Sequence, residues 1–206
     1  MDIFDTSAEI FKNPIKLAHH LVTTVLRPGD TAVDATAGNG HDTLFLCRVV
    51  GGEGSVYAFD SQPLAIGRTA DRIKEEHLGT RVYLINDGHE NMGKYIEPGV
   101  RAVMFNLGYL PGSGHRFNTQ PASTIAALDQ AKGLLAAGGI ITVVVYTGHP
   151  GAVEEKEAVE SWAAALPQEE WTVINCSFPN WRNHPPQVMA ITRRKSNPRR
   201  GEPDAA

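Results

Sequence analysis

Apolar residues in this chain recur with two periods, and the way those periods alternate predicts the fold. Ile15, Leu17, Ala18, Leu21, Val22, Val25 and Leu26 fall at helical spacing, and Pro28-Gly29 ends that stretch. Short β-branched runs then alternate with longer amphipathic ones. Strands are predicted over 31–36, 55–59, 81–86, 101–106 and 140–146, the last being the most apolar. Helices are predicted over 41–50, 63–77, 122–136 and 151–166, with a short one at 90–95. Pro63 suits the first turn of its helix, and Gly138-Gly139 closes the helix that precedes it. Two further strands, 171–177 and 187–192, follow with no helix between them.

Strand–helix alternation builds parallel strands with helices on both faces. Two closing strands joined by a loop add an antiparallel hairpin at one edge. The expectation is therefore an α/β, Rossmann-like fold: about seven strands, mostly parallel, with ligands at their carboxyl ends. The 206 residues suit one domain over 1–195, with a polar tail, 196–206, expected to be disordered.

Composition narrows the class of protein. The chain is 42% hydrophobic and 20% charged, with a mean hydropathy of −0.22, as in an ordinary soluble domain. No run approaches a membrane span, and the acidic start Met1-Asp-Ile-Phe-Asp5 lacks the basic region of a signal peptide. A cytoplasmic protein without membrane contact is expected. Cys47 and Cys176 form no CxxC pair and the eight histidines show no tight ligand spacing, so no metal is expected. A net charge of −4 gives no general attraction to nucleic acid. Arg193, Arg194, Lys195, Arg199 and Arg200 nevertheless cluster near the end, as a phosphate-facing patch or a solvated tail.

The candidate chemistry begins where the first strand meets its helix. Asp34 ends the strand, and Thr36, Gly38, Asn39, Gly40, His41 and Asp42 form a glycine-rich turn into the helix. Such a turn lets backbone N–H groups approach a ligand at the positive end of a helix dipole. A dinucleotide site would carry a third glycine; this turn has His41 and Asp42 there and keeps an acid in front. An acid suits the ammonium of a methionine moiety and repels a pyrophosphate, which points to S-adenosylmethionine. Asp60, followed by Ser61 and Gln62, ends the second strand, where a carboxylate can accept ribose hydroxyls. Asp87, followed by Gly88 and His89, ends the third, beside the expected place of an adenine or as a cap of the next helix.

The fourth strand ends in Asn106-Leu107-Gly108-Tyr109-Leu110-Pro111. Amino-group methyltransferases carry an (Asp/Asn)-Pro-Pro-(Tyr/Phe) segment in that place. Asn106 and Tyr109 match its outer positions, and Leu107-Gly108 replaces the prolines. His149 follows the fifth strand and either serves as a proton acceptor or substrate contact or simply starts a helix. Trp181 and Arg182 lie in the last loop, where they could stack on a base or hold a phosphate. On the first helix His20 is expected to be exposed, with His19 on the cofactor side.

Taken together, DATAGNGHDT (34–43), FD (59–60), FNLGYLPG (105–112), YTGHPG (146–151) and NHPPQ (183–187) resemble the bacterial YtqB-like family labelled rRNA methylases, over about 15–192. Members are associated with methylating the aminomethyl group of wobble 5-aminomethyl-2-thiouridine in tRNA. The resemblance implies a class I methyltransferase fold, S-adenosylmethionine as donor and a tRNA anticodon loop as partner. It maps the cofactor onto Asp34, Gly38, Gly40, Asp60 and Asp87. Asn106, Leu107, Gly108, Tyr109, Pro111 and His149 then face the substrate. The family often has an acid and a lysine after LPG; here Ser113-Gly114-His115-Arg116 follows, and Arg116 supplies the positive charge. Ribosomal RNA, a small-molecule amine or a nicotinamide-dependent reaction remain as alternatives, and a homodimer is compatible with the sequence.

Overall fold

A computed structural model describes residues 8–108, 119–148, 151–182 and 185–195. Seven strands form one sheet: β1 Thr31–Asp34, β2 Ser55–Phe59, β3 Arg81–Ile85, β4 Val100–Leu107, β5 Leu135–Val145, β6 Trp171–Cys176 and β7 Gln187–Arg193. Their order is β3-β2-β1-β4-β5-β7-β6. β7 lies antiparallel between β5 and β6, and the pairings from β3 through β5 are parallel. This is the expected mostly parallel sheet with an antiparallel edge hairpin. The order reverses between β1 and β4, so their carboxyl ends open a crevice.

Why the strands read as unbroken apolar runs is plain from β4. Val103, Phe105 and Leu107 enter one core and Ala102 and Met104 the other, so both faces are buried. One core lies under α4 (Pro121–Leu134) and α5 (Ala152–Ala164), through Ala127, Leu128, Ala131, Val159 and Ala163. The other lies under α1 (Pro14–Thr23) and α2 (His41–Val50), through Leu17, Ala18, Val22, Leu46, Cys47 and Val50. α3 (Pro63–Glu75) adds Ile73 on that side. Fully burying one such Leu or Val contributes roughly 1.5–3 kcal/mol.

Three of the boundaries that differ from the sequence reading have an identifiable cause. α1 is capped by Asn13, whose side chain accepts from Ile15 N and Lys16 N, but it stops at Thr23 rather than Leu26. The hydroxyls of Thr23 and Thr24 bond back to His20 O and Leu21 O, and Arg27 donates to the carbonyls of Thr23, Thr24 and Leu26. These bonds take up the carbonyls at the end of the helix. β5 begins at Leu135, inside the predicted helix, because Gly138-Gly139 does not stop a helix. Gly138 adopts φ +75° and the pairing with β4 shifts register between Val100 and Ala102, so the glycines carry a bulge in a long strand. The short helix before β4 is a 3₁₀ segment, His89–Lys94.

Among the described residues, no helix is long and apolar enough to cross a membrane. The predicted tail, 196–206, lies outside the described residues.

Candidate functional site

A cleft of about 850 Å³ opens at the carboxyl ends of β1, β2 and β4. Its floor is the turn after β1. Gly38 (φ +53°) and Gly40 (φ +78°) both sit in the left-handed region. A Cβ on Gly40 would lie 3.0 Å from Thr69 Cα of α3, so this glycine also permits the close approach of two helices. Arg72 Nε donates to Asn39 O at 2.7 Å and Arg68 donates to Asn39 Oδ1 at 3.1 Å, pinning the turn from α3.

The two acids of the turn face opposite ways. Asp34 is fully buried and does not line the cleft. It accepts from Thr43 Oγ1 at 2.6 Å and from Thr36 N at 3.1 Å. Burial, reinforced by the nearby charge of Asp42, pushes its carboxyl up to about 7. The acid that this turn offers to the cleft is Asp42, in the first turn of α2. Asp42 Oδ1 lies 2.6 Å from His19 Nε2, and Oδ2 accepts from Asn106 Nδ2 at 3.2 Å. The expectation that the Asp34 carboxylate meets a ligand is thus corrected. Strand alternation puts Asp34 on the same face as Ala32, beneath α1 and α2, and Thr43 engages it there.

Asp60 does line the cleft, from the end of β2. It accepts from Gly38 N at 3.0 Å and Gln62 N at 2.9 Å, tying the glycine turn to β2. Thr36, Gly38, Asn39, His41, Ser61, Gln62, Gly88, His89, Asn106, Leu107 and Gly108 line the same cleft. Thr36 Oγ1 also accepts from Asn106 N at 2.8 Å, joining β1 to β4 across the crevice. His89 is buried, and its Nδ1 lies 3.1 Å from Ala35 O. Burial lowers its pKa, so the ring is neutral at pH 7; a carbonyl partner makes Nδ1 the donor and leaves Nε2 as an acceptor. At His41, partial burial and then the Arg72 charge shift the pKa down as well.

Other predicted residues stand elsewhere. Asp87 does not line the cleft; it takes Gly88 N, Asn91 Nδ2 and Tyr95 OH, which hold its carboxyl below the usual range. These bonds tie Asp87 to side chains of and beyond the 3₁₀ segment, whose N-cap is Gly88 and which has no side-chain cap bond. Gly40 is buried under α3 rather than exposed to the cleft. Arg182 is exposed in the β6–β7 loop, at the cleft end of the sheet but outside the cleft, next to a Phe178–Trp181 ring stack (4.4 Å). Tyr109, Pro111, Arg116 and His149 lie outside the described residues, as do Arg199 and Arg200 of the basic cluster. Arg193 and Arg194 sit at the opposite end of the sheet from the cleft: Arg193 donates to Leu135 O, and Arg194 N to Glu170 O. The cluster's described part therefore does not face the site. His20 is half-buried rather than exposed.

The cleft also draws on residues the sequence reading passed over. Asn13 and Lys16 reach it from α1, with His19, whose ring lies flat on Phe45 (3.8 Å, 1°). Spacing of three places all of them along one side of α1, a signal available from the sequence. Thr119, Ser123 and Tyr146 complete the rim. Thr119 and Thr124 donate to buried Glu155 of α5, each at 2.7 Å, which anchors the start of α4. Among the described residues, no His, Cys, Asp and Glu side chains gather in a group able to hold a metal ion.

Comparison with known proteins gives consistent matches. The sequence matches the family described as "Putative rRNA methylase" over residues 56–192. It is 40% identical over 178 residues to the chloroplastic tRNA (mnm(5)s(2)U34)-methyltransferase of Arabidopsis thaliana, covering 81% of this chain. The chain spans 64% of the length of that curated relative. A "putative rRNA-methylase" from Clostridium thermocellum superposes with a TM-score of 0.86 at 45% identity, over 88% of this chain and 97% of that one. A "putative methyltransferase" from Streptococcus mutans, solved in complex with SAH, superposes with a TM-score of 0.79 at 36% identity, over 88% and 98%.

Proposed function

Because the chain belongs to the rRNA methylase family matched over residues 56–192, we propose that it is an S-adenosylmethionine-dependent methyltransferase. Its acceptor, on this reading, is the 5-aminomethyl nitrogen of (2-thio)uridine at wobble position 34 of tRNA. The observation that carries the reading is a single cleft lined by the hydrogen-bonded pair Asp42 and Asn106 together with Asp60 and the glycine turn. The SAH in the Streptococcus mutans relative supports the donor, and the name of the Arabidopsis relative supports the acceptor.

The residues present fit that donor. The cleft lies within the roughly 300–1,000 Å³ usual for ligand sites. Three carboxylates, Asp42, Asp60 and Glu90, line it, alongside glycines at positive φ. This set suits a ligand with a cation at one end and a diol at the other. A pyrophosphate at the glycine turn would be repelled by Asp42, which weighs against a nicotinamide cofactor, whereas Asp60 suits the ribose of either. Asp42 would then hold the ammonium and Asp60 the ribose hydroxyls, using lone pairs beyond those given to Gly38 N and Gln62 N. When bound, S-adenosylmethionine supplies an electrophilic methyl group on a sulfonium.

The protein's task at the acceptor is to present a neutral amine in line. An alkylamine is mostly protonated at pH 7, and deprotonating it costs about 5 kcal/mol. A partly desolvated wall lowers that cost by disfavouring the cation. On this reading Asn106 accepts an N–H of the amine and so fixes the direction of its lone pair. Tyr109, Leu107, Gly108, Pro111, Arg116, His149 and Arg182 are the remaining proposed substrate contacts.

Purified protein, donor carrying a labelled methyl group, and separated tRNA and rRNA provide the test, with nucleosides resolved by mass spectrometry. The expected product is methylaminomethyl-(thio)uridine in tRNA. Label confined to rRNA would move the acceptor, and binding of NAD without S-adenosylmethionine would overturn the donor.

A further inference from the structure

We propose that His19 is a positioning residue: through Asp42 it fixes which face of the Asn106 amide meets the acceptor amine. This rests on the methyltransferase reading above and assigns a role within that site.

α2 carries Asp42 and Phe45 three residues apart, hence on one side of the helix. His19 reaches both from α1. The stack on Phe45, at 3.8 Å and 1°, fixes the plane of the imidazole. Within that plane Nε2 meets Asp42 Oδ1 at 2.6 Å. The Asp42 side chain is 7% exposed, so few water molecules compete for it. An ionised carboxylate can only accept, so the hydrogen of this contact sits on Nε2. The same rule orients the other partner. Facing Asp42 Oδ2 at 3.2 Å, Asn106 must turn its NH₂ toward the carboxylate. Its Oδ1 is then directed away from Asp42. The Asn106 backbone is held separately by the bond from its N to Thr36 Oγ1.

The orientation of this amide decides whether the amine can react. An amine about to be methylated must keep its lone pair for the new C–N bond, while its N–H groups are held by acceptors. Asn106 Oδ1 is such an acceptor. A flipped amide would present NH₂ and donate into the lone pair that must attack. Asp42 excludes that flip only while its own carboxylate is held in place, and His19 supplies the second hydrogen bond that holds it.

Three variants test the chain of contacts. H19F keeps a ring on Phe45 and removes the Nε2 donor; H19Q restores an N–H near that position; H19L removes both donor and ring. The assay measures kcat and KM on tRNA at saturating donor, with SAH affinity by calorimetry and Tm by circular dichroism. The expected result for H19F is a fall in kcat of about 10- to 100-fold, the usual range for losing a hydrogen bond to a charged group. SAH affinity should fall by less than kcat does, since Asp42 keeps the charge that would hold the ammonium and loses only one of the bonds that place it. H19Q should recover most of the rate. Should H19F fail to fold, the comparison of H19L with H19Q is read in the same way. Wild-type turnover by H19F, equal loss in H19F and H19Q, or a defect confined to SAH affinity would each overturn the assignment. Wild-type protein that methylates no tRNA would instead overturn the proposed function, an outcome distinct from an unaffected H19F.

Discussion

Asp34 invites a decisive measurement, because its burial makes it an energetic burden whose size depends on pH. The carboxyl is fully buried, and the cost of desolvating its charge outweighs the hydrogen bonds from Thr43 and Thr36. Its pKa therefore rises from 3.8 to about 7 on folding. At about 1.36 kcal/mol per unit, that rise is worth about 4 kcal/mol. The folded protein holds this proton more tightly than the unfolded chain does. The associated stability is thus fully present below the unfolded pKa and is lost as pH rises through the folded one. D34N has no such proton. Urea unfolding of wild type and D34N between pH 4 and pH 8.5 isolates the effect, since contributions from groups that do not interact with Asp34 cancel in the difference. D34N should gain on wild type by up to about 4 kcal/mol as pH rises toward 7, with no further change above about pH 8. A difference that stays flat with pH, or moves the other way, would refute the claim that burial dominates. D34N should also keep SAH binding, because the side chain does not line the cleft.

Other perturbations follow from single contacts. D42N removes the cleft-facing charge and should weaken SAH binding in calorimetry by about 10- to 100-fold, the usual range for a charge-assisted contact. Equal losses in D42N and D34N would contradict the division of roles between the two acids. G40A places a Cβ 3.0 Å from Thr69 Cα at φ +78° and should cost about 1–3 kcal/mol in denaturant unfolding; a neutral result would mean that α3 can shift. T142V should be neutral or stabilising by about 1 kcal/mol, because the buried Thr142 hydroxyl finds no partner among the described residues. A loss of 2 kcal/mol or more on the same unfolding assay would mean that the hydroxyl has a partner.

The parts of this fold that could be read from sequence are those in which burial fixes the pattern. β2 and α2 fall at their predicted limits because apolar runs and the glycine turn leave no other register for them. Gly138-Gly139 misled because two glycines after a helix-like stretch read equally as a helix stop or a strand bulge. Only the pairing of Val100 with Leu135 decides between them, and that is a non-local contact. Asp34 misled for a different reason. Its position at a strand end suggested exposure to ligand, whereas its alternation with Ala32 and the Thr43 hydroxyl nine residues on already pointed inward. Spacing along α1 placed His19 on the cofactor side. Its engagement with Asp42 could not be read, since packing two helices against each other sets that distance.

The two acids of the turn are best understood together. Asp42 and Asp34 sit near enough for the charge of one to raise the pKa of the other. Two negative charges so placed would repel each other, and Asp34 is the one water cannot reach. Both effects favour the protonated form of Asp34, and the Thr43 hydroxyl can bond either protonation state. This concentrates the negative charge of the turn on the acid that faces the cleft. An acid at the end of β1 thus shapes the charge of the site while its own side chain stays out of the cleft lining. Asp42 faces the cleft and meets both His19 and Asn106. In this turn the strand-end aspartate is held beneath the site by Thr43, and the first-turn acid of the following helix is the one that lines the cleft.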